Sequence, residues 1–285
     1  GSLESPLDPR LQRSLDSMRV GFLYSHQAEA INALPVLEYI GVLATGYNVV
    51  EIEAARERDI PVTNIPSYGT ASVAQMTMAV ILELASQPAL HSRSVSEGEW
   101  SACPDFCYWK KPLVELDGLT LGIIGFGTIG QAVAKLGRRF GMNIIAHTRT
   151  PEETEGVRFV DCKTVFREAD VVSLHCPLTD ANNGFVNEAM LHSMKSTAFF
   201  INTARGPLVD EAALADALNR NQIEGAATDA SWRPDLPEVR TDVGHVFAHQ
   251  GPHRDEPPDG VAIEQFLGVT QSLVVAEAEA HHHLE

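Results

Sequence analysis

The chain reads LTLGIIGFGTIG from Leu119 to Gly130, an apolar run followed by glycines at G-x-G-x-x-G spacing. The apolar run predicts a buried strand, and the residues from Gln131 to Leu136 predict a helix. Between a strand and a helix each glycine has its own role. Gly125 permits a tight turn, Gly127 admits a pyrophosphate, and Gly130 lets the helix pack closely. The stretch therefore predicts a dinucleotide-binding turn, with a glycine-rich turn that binds no ligand as the alternative.

Strand-like and helix-like segments alternate on both sides of this turn and for about a hundred residues after it. Such alternation implies a parallel sheet with right-handed crossovers and helices on both faces. The sequence therefore predicts an α/β fold built on a Rossmann-type doubly wound parallel sheet. The predicted strands of this sheet are Leu119–Ile124, Asn143–Ala146, Val171–Leu174, Ala198–Asn202 and Gly225–Thr228.

The second predicted strand leads into Thr148 and Arg149, where the sequence departs from the usual NAD site. An NAD-binding fold places Asp or Glu about 20 residues beyond the glycines, to hold the ribose hydroxyls. Without that carboxylate nothing repels a 2′-phosphate, and the Arg149 guanidinium can pair with one. The sequence therefore predicts a preference for NADP(H) over NAD(H), with a solvated loop position for Arg149 as the alternative.

A further apolar run, Phe199 to Asn202, ends in a turn that contains Arg205. Asp210 is a predicted helix N-cap, and Leu214 and Leu218 fall on the inner face of that helix. Ligands bind at the carboxyl ends of strands in a parallel α/β sheet, and a guanidinium there suits a planar carboxylate. Arg205 is therefore a predicted carboxylate ligand, and an arginine that pairs with a neighbouring carboxylate is the alternative.

Several segments between Leu37 and Asp229 are similar in sequence to the motifs of one enzyme family. They are Ala44–Asn48, Ala54–Arg58 with Ile60–Val62, Ser72–Gln75, Leu174–Thr179, Asn202–Gly206 with Val209–Glu211, and Gly225–Asp229. Together they resemble the D-isomer-specific 2-hydroxyacid dehydrogenases, and the first segment resembles the glycerate dehydrogenase or hydroxypyruvate reductase branch. The resemblance implies hydride transfer between NAD(P)H and a small 2-oxoacid or D-2-hydroxyacid, such as hydroxypyruvate, glyoxylate or glycerate.

The resemblance also implies roles for individual residues. Arg205 holds the substrate carboxylate and polarises the carbonyl, together with backbone N–H groups of Ala44, Thr45 and Gly46. A histidine exchanges the proton, because its pKa lies near neutral pH. His253 follows a proline, as in the family, and is the predicted acid–base catalyst, with His249 as its rival.

The implied cofactor is NADP, with NAD as the second choice. The Gly-rich turn, the end of the second strand and three later turns supply the implied contacts. The residues are Gly125, Gly127, Thr128, Ile129, Gly130, Thr148, Arg149, Pro177, Thr203, Ala204 and Asp229.

Two departures from the family pattern leave a second function open. The glutamate that pairs with the histidine is absent, since Arg233 stands before Pro234, with Asp235 and Glu238 as possible substitutes. The N-terminal domain is also shorter than in the family. The alternative function is therefore a nucleotide-binding relative with little or no turnover, which acts as a binding or sensing module.

The predicted domains are a substrate domain, residues 1–88 with 260–280, and a dinucleotide-binding domain, residues 89–259. The substrate domain is predicted to be flavodoxin-like and shortened. It contains predicted strands Leu37–Val42 and Val62–Ile65 and predicted helices Gln27–Leu34, Thr70–Leu84 and Ile263–Leu273.

Bulk properties restrict the partners of the chain. The formal charge of −17 over 285 residues disfavours nucleic acid and anionic membranes. No apolar run is long enough to span a membrane, and residues Gly1 to Asp16 lack the apolar centre of a signal peptide. The expected location is the cytoplasm, and the expected partner is a small-molecule 2-oxoacid or 2-hydroxyacid.

The four cysteines show no zinc-ligand spacing, so no metal site is predicted and idle thiols are expected. Cys103 and Cys107 lie in an aromatic-rich loop from Trp100 to Trp109. In the family this region meets a second subunit, which implies a homodimer. A local packing cluster is the alternative for these aromatic residues.

Overall fold

A computed structural model describes residues 21–23, 37–42, 45–47, 50–228 and 273–277 of the chain. The chain divides into two compact units, Gly1–Gly69 with Gly251–Glu285, and Thr70–Gln250. The domain limits predicted from the sequence stay a prediction.

The strands are numbered β1 to β10 in chain order. They are β1 Gly21–Leu23, β2 Leu37–Val42, β3 Val62–Asn64, β4 Thr120–Ile124, β5 Asn143–His147, β6 Val157–Phe159, β7 Val171–Leu174, β8 Phe199–Asn202, β9 Gly225–Thr228 and β10 Leu273–Glu277. All five strands predicted around the glycine-rich turn are confirmed to within one residue at each end. Strand β6 was not predicted.

The helices are numbered α1 to α8 in chain order. They are α1 Ile52–Glu57, α2 Thr70–Ser86, α3 Pro88–Ser96, α4 Glu99–Ala102, α5 Thr128–Arg139, α6 Cys162–Glu168, α7 Glu188–His192 and α8 Glu211–Asn219. The predicted helix over residues 70–84 is confirmed as α2. Asp210 is the N-cap of α8, where its side chain accepts a hydrogen bond from the backbone N–H of Ala213 at 3.1 Å, as predicted.

The larger unit contains a six-stranded parallel sheet in the order β6-β5-β4-β7-β8-β9. This is the strand order of a Rossmann fold, 3-2-1-4-5-6, in which strands are added first on one side of the first strand and then on the other. One core cluster lies on the face covered by α2 and α5, and a second lies on the face covered by α6, α7 and α8. Adjacent residues in β8 divide between them, because Ile201 belongs to the first cluster and Phe200 to the second. The predicted doubly wound sheet is confirmed.

The carboxyl ends of five strands meet in one row across this sheet. The strand register pairs Ile124 with His147 on one side and with Leu174 on the other, and it continues to Asn202 and Thr228. Neighbouring strands lie about 4.8 Å apart, so the row is about 19 Å long. Every predicted cofactor residue of the larger unit follows a member of this row by at most six positions.

The smaller unit contains a four-stranded sheet in the order β1-β10-β2-β3. Strands β2 and β3 pair in parallel, as in a flavodoxin-like domain, whereas β10 is antiparallel to both neighbours. The predicted helix over residues 263–273 is wrong at Leu273, which begins β10, because Val274 and Val275 favour an extended backbone. Residues 263–272 and the predicted helix over residues 27–34 lie outside the described residues.

No single helix in the described part of the chain is long and apolar enough to cross a membrane. Helices α2 and α3 pass that test only as a pair bent by 58°. Helix α2 contributes Met78, Ile81 and Leu84 to the core of the larger unit.

Candidate nicotinamide-cofactor and carboxylate site

The three motif glycines have the geometries that their predicted roles require. Gly125 has φ +95°, and a Cβ there would lie 2.6 Å from the backbone nitrogen of Cys176. A Cβ on Gly130 would lie 2.2 Å from the carbonyl oxygen of Gly125, so the helix packs directly on the turn. A Cβ on Gly127 would have no atom of the described residues within 4 Å. The backbone at Gly127 is therefore open to a ligand.

The turn is fixed to the sheet on both sides. The N–H of Gly125 donates to the carbonyl of His147 at 2.9 Å, and the N–H of His175 donates to the carbonyl of Ile124 at 2.7 Å. The ring of Phe126 packs edge-on against the ring of Phe159, with centroids 5.2 Å apart. These contacts hold the N-terminus of α5, where unpaired N–H groups and the helix dipole favour a phosphate.

The end of β5 presents Thr148 and Arg149, as predicted. Thr148 is half-buried, and Arg149 is exposed and pairs with no other described residue. The His147 ring approaches the carbonyl of Val160, with its Nδ1 3.1 Å from that oxygen. This end of the strand thus offers a cation to solvent and no carboxylate.

The end of β7 carries a histidine and a cysteine that are both uncharged. Burial lowers the pKa of His175 to about 4, and its Nε2 lies 2.9 Å from the hydroxyl oxygen of Ser173. Burial raises the pKa of the Cys176 thiol to about 11, and that of the Cys162 thiol to the same range. Neither of these two thiols is a thiolate at neutral pH. Pro177 follows on the surface, where its carbonyl accepts a hydrogen bond from Asn182 at 2.8 Å.

The turn after β8 is held by the side chain of Asn202, a contact that was not predicted from the sequence. Asn202 is only 2% exposed. Its Oδ1 accepts hydrogen bonds from the N–H groups of Ala204 at 3.1 Å and Arg205 at 3.3 Å, and its Nδ2 donates to the carbonyl of Arg205 at 3.0 Å. An Asn at the end of a buried strand, before a turn, is the signal for such an arrangement. The backbone on both sides of Arg205 is therefore fixed.

The Arg205 side chain is half-buried beside this turn. Its Nη1 donates to the carbonyl of Ala204 at 2.7 Å, which orients the guanidinium relative to its own backbone. Thr203 is buried, and its hydroxyl oxygen lies 3.0 Å from the hydroxyl oxygen of Thr77 in helix α2. The structure thus places Thr203, Ala204 and Arg205 in the turn after β8, and their contacts with cofactor and substrate stay predictions.

The smaller unit contains the turn at Thr45 and Gly46. The Thr45 hydroxyl donates to the carbonyl of Ile65 at 3.2 Å, and the Thr45 carbonyl accepts from Asn64 at 2.8 Å. The turn is therefore anchored to the end of β3.

An open groove of about 420 Å³ in the smaller unit is lined in part by Tyr47 and Asn64, and it contains none of the predicted site residues.

Four predicted site or rival residues lie outside the described residues: Ala44, Asp229, His249 and His253. The same holds for Arg233 at the position of the family glutamate. Their roles stay predictions.

The fold and the site define a Rossmann-type dinucleotide-binding protein with an arginine at the carboxyl end of its fifth parallel strand. Residues 78–249 match the family model described as D-isomer specific 2-hydroxyacid dehydrogenase, NAD binding domain. The chain belongs to the D-isomer specific 2-hydroxyacid dehydrogenase family, and its larger unit is a nicotinamide-cofactor-binding domain. The resemblance drawn from the sequence is confirmed.

Individual relatives support the same assignment. The chain is 43% identical over 204 residues to a hydroxypyruvate reductase of Blautia hydrogenotrophica. The aligned region covers 70% of this chain and 63% of the relative. Its fold is similar, at TM-score 0.73 and 30% identity, to an NADPH-dependent glyoxylate/hydroxypyruvate reductase of Sinorhizobium meliloti in complex with NADP and malonate. That likeness covers 79% of this chain and 71% of the other.

A third relative carries the other nicotinamide cofactor. It is a D-lactate dehydrogenase of Aquifex aeolicus complexed with NAD and lactic acid, with TM-score 0.67 and 31% identity, over 73% of this chain and 62% of that one. The structural relatives therefore include both NAD and NADP complexes.

Proposed function

We propose that this chain reduces a small 2-oxoacid, such as hydroxypyruvate or glyoxylate, to the D-2-hydroxyacid with a nicotinamide cofactor. The observation that carries the proposal is the single row of strand ends from His147 to Thr228, which aligns the glycine-rich turn with the Arg205 turn. The match to hydroxypyruvate and glyoxylate reductases supports the substrate class. The chain spans 63% of the first of these relatives, so its activity is our proposal.

The described residues fit a dinucleotide. The open backbone at Gly127 and the N-terminus of α5, with Thr128 and Ile129, would hold the pyrophosphate. We propose that Pro177, Thr203, Ala204 and Asp229 contact the remainder of the cofactor. A reduced nicotinamide, when bound, supplies the hydride that reduces the 2-oxo carbon.

The protein residues perform the other parts of the reaction. Arg205 binds the substrate carboxylate and polarises the adjacent carbonyl, since a guanidinium donates two parallel hydrogen bonds to a carboxylate. The family resemblance adds the backbone N–H groups of Ala44, Thr45 and Gly46 as donors. We propose that His253 donates the proton to the carbonyl oxygen, with His249 as the alternative donor.

The test is the loss of NADPH absorbance with a panel of 2-oxoacids, together with cofactor binding followed by fluorescence. We expect turnover of hydroxypyruvate or glyoxylate, and oxidation of D-glycerate in preference to L-glycerate in the reverse direction. Tight cofactor binding without turnover of any acid would contradict the proposal and favour a binding or sensing module.

We propose that the preferred cofactor is NADP(H). The exposed Arg149 guanidinium has no partner among the described residues, and no carboxylate stands at the end of β5 to repel a 2′-phosphate. The NADP complex of a structural relative supports this choice.

Replacing Arg149 with alanine tests the cofactor preference. The variant loses the binding free energy of a hydrogen-bonded ion pair between the guanidinium and the 2′-phosphate. We therefore expect the KM for NADPH to rise about 10- to 100-fold, with the KM for NADH unchanged. Arg220→Ala is the matched control, because Arg220 is also exposed but precedes the amino end of β9. Equal KM values for the two cofactors in the unaltered protein would refute the preference.

We propose that the chain forms a homodimer through the aromatic-rich segment from Trp100 to Trp109. This segment exposes several large apolar side chains, and Phe106 is 91% exposed. Contacts within the chain hold both ends of the segment: Lys110 pairs with Glu99 at 2.7 Å, and the Ser94 hydroxyl lies 2.7 Å from that of Tyr108. Aromatic side chains on a fixed surface are typical of protein interfaces.

Light scattering tests the dimer. We expect about twice the chain mass of 31.0 kDa for the unaltered protein and the monomer mass for a Phe106→Ser/Trp109→Ser double variant, because both exposed rings are then lost. Tyr68→Ser, which removes an exposed aromatic ring of the smaller unit, is the control and should stay dimeric. A monomeric unaltered protein would end the proposal.

A further inference from the structure

Helix α2 contacts the Arg205 turn through a buried pair of hydroxyl groups. Thr77 is fully buried and Thr203 nearly so, and their hydroxyl oxygens lie 3.0 Å apart. The two residues are 126 positions apart in the chain. A buried hydroxyl group needs a hydrogen-bond partner, and Thr77 is the partner of the Thr203 hydroxyl.

Each hydroxyl group can donate only one hydrogen bond, and this decides which of the two threonines is the donor. The Thr77 hydroxyl donates to the carbonyl of Val73 at 2.8 Å. A threonine hydroxyl has one proton, so Thr77 can only accept from Thr203. The proton of Thr203 is therefore directed toward the Thr77 hydroxyl oxygen on helix α2.

The turn from Asn202 to Arg205 is thus held twice. Asn202 fixes the backbone of Ala204 and Arg205 from within the turn, and Thr77 holds Thr203 from outside it. We propose that Thr77 is a positioning residue for Arg205. It ties the turn to the core helix, so that the guanidinium keeps the direction needed for a substrate carboxylate. This inference rests on the proposed function, in which Arg205 binds that carboxylate.

The test compares variants of Thr77 at saturating cofactor. Thr77→Val keeps the shape and loses the acceptor, so we expect the KM for the 2-oxoacid to rise about 10-fold with a smaller change in kcat. Thr77→Ser keeps the hydroxyl and should restore the KM. Val80→Ala is the matched control on α2, because Val80 is buried but apolar, and it should lower the melting temperature without raising the KM.

A double variant separates positioning from stability. Thr77→Val/Thr203→Val leaves neither hydroxyl of this pair buried without a partner, so it should melt above Thr77→Val. Its KM for the 2-oxoacid, measured at NADPH concentrations that offset any lost contact between Thr203 and the cofactor, should stay raised because the tether is absent. Recovery of the KM together with the melting temperature would overturn the inference. So would an unchanged KM in Thr77→Val, or a KM raised equally by Val80→Ala.

Amide hydrogen exchange tests the tether without turnover. The N–H groups of Ala204 and Arg205 should exchange faster in Thr77→Val than in Thr77→Ser, because the turn has lost its outer contact. Equal exchange in the two variants would overturn the inference. If the unaltered protein reduces no 2-oxoacid, the proposed function fails, while this measurement still decides whether Thr77 orders the turn.

Discussion

Arg205→Met is expected to lower kcat/KM for glyoxylate or hydroxypyruvate by about 100- to 1000-fold. The reason is that a hydrogen-bonded charge pair partly shielded from solvent is worth several kcal/mol, and methionine leaves the substrate carboxylate without the guanidinium. Arg205→Lys keeps the charge but loses the two parallel donors, so we expect it to fall between the unaltered protein and Arg205→Met.

The Arg205 side chain can be replaced without undoing the turn. The hydrogen bonds of Asn202 go to backbone groups of Ala204 and Arg205, which any residue at position 205 supplies. We therefore expect an unchanged dissociation constant for NADPH in both variants. A weaker cofactor complex with normal turnover at saturation would contradict the role of Arg205 as substrate ligand.

A substrate without a carboxylate gives the sharper measurement. Glycolaldehyde has the aldehyde of glyoxylate but no charge, so the unaltered protein should strongly prefer glyoxylate. Arg205→Met should lose most of that preference, because the carboxylate contributes to binding mainly through the guanidinium. Equal losses for the two substrates would show that Arg205 acts on the carbonyl or the fold and leaves the carboxylate to other groups.

The parallel sheet of the larger unit could be predicted because its strands are buried on both faces. Such strands appear in the sequence as short apolar runs, as Val171–Leu174 and Phe199–Asn202 do. Strand β6 escaped prediction because it is a three-residue edge strand with Arg158 at its centre. Its pairing with β5 comes from tertiary contacts rather than from a local pattern.

Some residues of the candidate site could likewise be located from the sequence, and others could not. Arg205 and the glycines could be located from the sequence because their roles are set by neighbours within a few residues. Thr77 could not, since its partner lies 126 positions away and nothing local distinguishes it from a core threonine. Asn202 stands between these cases, because a local signal existed at the strand end but only the structure shows its three hydrogen bonds.

Gly127→Ala and Gly130→Ala are expected to fail in different ways, although they lie three positions apart in one motif. A Cβ on Gly130 would lie 2.2 Å from the carbonyl oxygen of Gly125 and 3.2 Å from the side chain of Ile123. Backbone cannot give way as a flexible side chain can, so helix α5 must move off the sheet. We expect Gly130→Ala to lose about 3 kcal/mol of unfolding free energy, at the upper end for overpacking, and about 6–12 °C in Tm.

Gly127→Ala should leave the fold nearly unchanged. Gly127 has φ −79°, which alanine adopts freely, and its Cβ would have no atom within 4 Å in the part of the chain that the structure describes. As the N-cap of α5, glycine is a slightly better residue than alanine, so we expect a loss below about 1 kcal/mol. Calorimetry or thermal melting of the two variants without cofactor measures this difference directly.

Cofactor binding should separate the two glycines further. The methyl group of Gly127→Ala would fill the space that we assign to the pyrophosphate. The steric clash therefore arises only when NADPH binds, and it weakens cofactor binding without affecting the stability of the free protein. A clash of the size found for overpacked groups corresponds to a dissociation constant raised about 10- to 100-fold. If Gly127→Ala binds NADPH normally, the open backbone at Gly127 does not face the pyrophosphate, and the assignment of the cofactor to this turn fails.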